Sequence, residues 1–130
     1  MLKNAPEIFT LRFVTMMFVV TALVLGGTTP GFAKGAVGGA KTTDTSVKPR
    51  GTDVFTVKFE GNAYSRVTVS GDGDTDLDLY VFDANNNLVG KDDDNSDDCI
   101  VEWTPKWTGL FTIKVVNRGN VENVYHLETN

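Results

Sequence analysis

The sequence predicts an all-β fold, an antiparallel sandwich or barrel of seven or eight short strands. Three observations predict it. From Asp53 onward, apolar and polar residues alternate with period two. Turn residues interrupt that alternation every eight to twelve residues. No window after residue 50 carries apolar residues at helical spacing over three turns.

The elements follow in order. Phe55, Val57 and Phe59 alternate with Thr56 and Lys58, and Glu60-Gly61-Asn62 turns the chain. Val67 and Val69 alternate with Arg66, Thr68 and Ser70, ahead of Gly71-Asp72-Gly73. Leu77, Leu79 and Val81 share one face, which leaves Asp76, Asp78 and Tyr80 on the other. Asp83-Ala84-Asn85-Asn86-Asn87 is turn chemistry, because Asn and Asp tolerate left-handed backbone and cap it locally. Leu88-Val89 and Ile100 to Trp103 form two short strands. Pro105 and Gly109 bracket a loop carrying Trp107. Phe111, Ile113 and Val115 mark the next strand, and Tyr125 and Leu127 the last, opposite His126 and Glu128.

The first residues read as an export address. Lys3 and Arg12 precede an apolar run from Phe13 to Leu25. As a helix it would rise about 20 Å, short of the hydrocarbon core of roughly 30 Å. Gly31-Phe32-Ala33 then offers small residues at the spacing a signal peptidase accepts. Residues 1–33 are therefore expected to be a signal peptide cut after Ala33, with Ala40 as an alternative site and an uncleaved anchor as the alternative reading. The Gly-, Ala- and Thr-rich stretch 34–50 is expected to be a flexible lead, and residues 51–130 the folded domain. The protein is then secreted or periplasmic and, once cut, free of the membrane.

Composition narrows the partners. The formal net charge is −5, which disfavours nucleic acid and anionic membrane surfaces. Cys99 is the only cysteine, so no internal disulfide forms, and its apolar context suits a small buried hydrophobe. The acids cluster in two stretches, Asp72 to Asp78 and Asp92 to Asp98. Such density needs full solvation or a cation. Calcium suits it, since this ion takes six to eight hard oxygen ligands. The expected ligands are Asp74, Asp76, Asp78, Asp92, Asp93 and Asp94. An EF-hand does not fit: Leu77 stands where that loop needs Gly, and the residues up to Phe82 form a strand. The competing reading is that both clusters are solvated loops that keep the protein soluble and blunt its sheet edges.

No catalytic set is legible. His126 is the only histidine, and Ser65, Ser70 and Ser96 lack an elbow motif. The expectation is a binding protein without enzymatic activity, monomeric, with a protein or glycan partner. Tyr80 and Trp107 are the candidate ligand-stacking rings.

The segments Asp76-Leu77-Asp78-Leu79-Tyr80-Val81-Phe82-Asp83, Asp92-Asp93-Asp94, Trp103-Thr104-Pro105 and Thr108 to Asn117 carry a resemblance. Together they resemble the bacterial pre-peptidase C-terminal domain family, over about Asp53 to Thr129. The resemblance implies a jelly-roll-like β-sandwich of secreted proteases, linked to secretion, substrate binding or removal during maturation, with calcium bound in some members. It would carry a calcium role onto Asp76, Asp78 and Asp92 to Asp94. No peptidase domain precedes it in this sequence, so a stand-alone module is expected, with a secreted peptidase as one possible partner. Phe111 stands where the family often has Tyr.

Overall fold

The computed structural model describes residues 35–130. The expected signal peptide and its cleavage after Ala33 lie outside the described residues. Eight strands are formed: β1 (Lys41–Val47), β2 (Thr52–Phe59), β3 (Ser65–Ser70), β4 (Leu77–Phe82), β5 (Leu88–Asp92), β6 (Asp98–Trp103), β7 (Gly109–Asn117) and β8 (Asn123–Thr129). They make two antiparallel four-stranded sheets, in the orders β1-β8-β3-β6 and β2-β7-β4-β5. Only the β4–β5 connection stays within its sheet; every other connection crosses the sandwich. This is jelly-roll winding, and it leaves each sheet one face against the core and one toward water.

The alternation read in the sequence is what fills the core. Phe55, Val57 and Phe59 from β2, Leu77, Leu79 and Val81 from β4, and Ile113 and Val115 from β7 are buried on one sheet. Val67, Val69, Val101, Tyr125 and Leu127 face them from the other. Each such burial contributes about 1.5–3 kcal/mol relative to exposure. Across the core, the Tyr125 hydroxyl of β8 donates to Asp53 Oδ2 of β2 at 2.7 Å, so a polar pair joins the two sheets. Cys99 is buried as expected; its Sγ donates to the Leu77 carbonyl, and burial pushes the thiol up to about 12.

The stretch 34–50 is corrected. It was expected to be a flexible lead, yet β1 pairs along its whole length with β8, from Lys41↔Thr129 to Val47↔Asn123. Lys41, Thr43 and Val47 point inward, so the period of two is present but carried mostly by polar residues. Thr is β-branched and suits a pleated surface, which is why the strand forms without an apolar pattern. Ahead of it, the Ala36 N–H donates to the Asn130 carbonyl and the Val37 N–H to the Lys58 carbonyl, each at 2.8 Å. Ala36 thereby bridges the last residue of the chain and β2, and is itself buried.

The winding collects the loops at two ends. One end holds residues 48–51, 71–76, 93–97 and 118–122; the other holds 60–64, 83–87 and 104–108.

Candidate functional site

At the first end, two buried asparagines organise the backbone. Asn123 Oδ1 accepts the Asp72 N–H at 3.1 Å. Its Nδ2 donates to the Thr75 carbonyl, to Thr75 Oγ1 and to Asp97 Oδ2, at 3.2, 3.0 and 3.1 Å. Asn117 Nδ2 donates to the Val47 and Val121 carbonyls, and its Oδ1 accepts the Gly119 N–H. Asp97 Oδ2 also accepts the Gly73 N–H at 2.6 Å. The loops lie so close that a Cβ on Gly71 would fall 2.2 Å from Asp97 Oδ2. Three loops are thus tied to one another by side-chain amides and one carboxylate.

Within this frame Asp76 and Asp78 stand apart from the other acids. Asp78 is only 2 % exposed, a departure from the wet face expected of it. Its Oδ2 binds Arg118 Nε at 2.6 Å and accepts from the Tyr80 hydroxyl at 3.2 Å. Its Oδ1 is buried with no hydrogen-bond partner, and so is Asp76 Oδ1. Burial holds the Asp76 carboxyl above the ordinary carboxylate range, reinforced by the charges of Asp78, Asp94 and Asp97. Among the described residues these two oxygens and Trp103 Nε1 are the buried side-chain polar atoms left without a partner.

The expected ligands do not all gather there. Asp92 Oδ2 accepts the Ile100 N–H at 2.9 Å, which caps an edge donor of the opposite sheet. Asp93 pairs with Lys91 at 3.0 Å, and Asp94 Oδ1 accepts the Ser96 N–H. Asp74 is exposed, with its N–H turned to Asp72 Oδ1. Asp72, outside that set, accepts from Val124 and Asp74, which lowers its carboxyl. Asp97, also outside that set, acts on Asp76 by charge and ties the loops. Among the described residues, no three His, Cys, Asp or Glu side chains converge as a formed metal site.

The two candidate rings separate. Tyr80 lies on the outer face of β4, its hydroxyl engaged with Asp78 and close to Arg118. Trp107 sits at the opposite end, 72 % exposed. It edges a shallow, solvent-open depression that Tyr80 does not line. Trp103 packs inward instead, with its ring 4.7 Å from Phe59 and 5.3 Å from Phe111. The candidate hydroxyls are otherwise engaged: Ser65 with the Ala63 carbonyl, Ser70 and Ser96 with Asp98. His126 Nδ1 lies 2.8 Å from Asp44 on the exposed face.

No protein-family model and no curated protein matches the sequence. Solved structures share the fold. The pre-peptidase C-terminal domain of a Bacillus anthracis collagenase superposes with a TM-score of 0.56 at 16 % identity, covering 69 % of this chain and 88 % of that one. PliG from Aeromonas hydrophila, a periplasmic inhibitor of g-type lysozyme, gives 0.54 at 18 % identity over 77 % and 90 %. CorA, a surface-associated copper-binding protein of Methylomicrobium album BG8, gives 0.50 at 10 % identity over 68 % and 92 %. At such identities the likeness establishes the fold alone. It spans proteins with quite different ligands.

Proposed function

We propose that the protein acts by binding rather than catalysis, as an exported sandwich whose acidic end takes up calcium. The observation that carries this reading is the pair of buried, unpartnered oxygens, Asp76 Oδ1 and Asp78 Oδ1. A hard cation would satisfy both and quench their mutual repulsion. Asp94 and Asp97 are the carboxylates whose charge already reaches Asp76, so they are the natural further ligands. Binding has to draw at least one of them inward, and this would couple the ion to the 93–97 loop. The donor set is all oxygen, which favours calcium over softer metals. A protein partner such as a secreted peptidase and a glycan both remain compatible with a domain of this fold.

Thermal unfolding of the full chain tests the calcium reading, first in excess chelator and then in millimolar calcium. A site at one hundred times its dissociation constant adds about 2.7 kcal/mol, a shift of several degrees in a small domain. An unchanged melting temperature would overturn it and leave the acids as solvated loops.

A further inference from the structure

The second loop end holds a feature that the calcium reading does not use. The Trp107 ring is exposed although indole burial is among the most favourable contributions a side chain can make. The backbone that carries it is tied to the neighbouring loop. The Asn62 N–H donates to the Pro105 carbonyl at 2.6 Å, and the Gly61 N–H donates to Thr108 Oγ1 at 2.9 Å. A Cβ on Gly61 would lie 2.5 Å from the Trp107 Cα, so only glycine permits this approach of the two loops. Asn62 takes a left-handed backbone at φ 59°, which Asn tolerates, and thereby completes the clamp. A loop whose backbone is already held loses little freedom when a ligand stacks on the ring it carries.

The surroundings select the ligand. Beside Trp107, the depression is lined by Leu110 and by Asp83 and Asn85 of the β4–β5 turn. Asp83 is itself anchored, because Oδ1 accepts the N–H groups of Asn85 and Asn87 at 2.9 and 2.8 Å. The lining contains one carboxylate, one side-chain amide and no cation, which is hostile to phosphate, sulfate or uronate. The depression is shallow and open to solvent, so a ligand would lie across it rather than enter it. The large apolar side chains exposed at this end are Trp107, Leu110, Leu88 and Tyr64.

We infer that Trp107, Leu110, Asp83 and Asn85 form a binding site for one ring of a neutral polysaccharide, stacked on the indole and hydrogen-bonded by the β4–β5 turn. This rests on reading the chain as a binding domain, and not on calcium. The test is binding of the full chain to insoluble chitin and cellulose and to soluble neutral β-glucan and mannan, with alginate as an anionic control. The expected result is retention by at least one neutral polymer and none by alginate. Trp107→Ala should weaken retention at least tenfold, and Trp107→Phe should keep part of it. Trp107→Ala should melt at the parent's temperature in chelator, which verifies folding, and should respond to calcium as the parent does, which separates this site from the acidic end. Three outcomes would overturn the assignment: no neutral polymer binds; Trp107→Ala binds as well as the parent; or alginate binds equally.

Discussion

The two loop ends of the sandwich are built on opposite terms. The acidic end is held by buried amides, Asn117 and Asn123, that take the place of missing backbone partners between three loops. It encloses two carboxylates that each leave one buried oxygen without a donor. The aromatic end is held by packing, with Phe59, Trp103 and Phe111 in edge contact, and by two backbone donors from the 60–64 loop. There the unmet group is an apolar ring in water rather than a charge out of it. The comparison teaches that one scaffold can hold two kinds of unfilled demand, each kept apart from the other by the length of the strands.

Breaking either frame should show how independent they are. Asn123→Ala removes four hydrogen bonds and strands buried partners, at about 3 kcal/mol, or on the order of 15 °C in melting temperature. Chemical denaturation should show that loss together with a loss of any calcium response. A normal calcium response in this variant would mean that the loops hold their positions without the amide. Gly61→Ala strikes the other end: a methyl group forced against the Trp107 backbone should cost about 1–3 kcal/mol. Its calcium response should be intact, and loss of it would show that the ends are coupled.

The smallest effect concerns pH. Because the folded Asp76 carboxyl lies above its ordinary value, the folded state holds more protons than the unfolded one just above the ordinary carboxylate range. The contribution of Asp76 to stability in chelator, read as the difference between the parent and Asp76→Asn, should therefore fall as pH rises through that window, and it is complete below the ordinary value near 3.9. Asp72 and Asp83 work the other way, since their lowered carboxyls favour the fold above that range. Asp76→Asn should raise the melting temperature slightly in chelator at neutral pH and remove the calcium gain. A fall in chelator would show that the charge stabilises the fold.

How much of this was legible in the sequence depended on which residues carried the pattern. Strands β2, β3, β4, β7 and β8 were marked by alternating apolar side chains and stand where the alternation put them, whereas β5 and β6 were legible only as short apolar runs. The Asp83–Asn87 turn was also legible, with Asn86 adopting the left-handed backbone its type permits. Strand β1 was not, because its inward residues are Lys41, Thr43 and Val47, and Thr-rich strands resemble linkers when apolarity is the only signal. Around the acids, the sequence located the right end of the molecule but could not sort its members. Asp78 is buried while its neighbours on the loops are solvated, and that depends on Arg118 folding back from forty residues away. The roles of Asn117 and Asn123 were not legible, since their long-range hydrogen bonds leave no trace in local spacing.

The pairing of β1 with β8 has a consequence for the order of events in the life of the chain. The first strand described finds its neighbour only in the last, with Lys41 opposite Thr129. Closing so long a loop has an entropic cost that local contacts do not offset in advance, so assembly is slow compared with that of helical domains. A ribosome still making residue 120 holds a chain whose first sheet lacks its second strand. Folding of this sheet therefore waits on β8, the last of the described strands to be made.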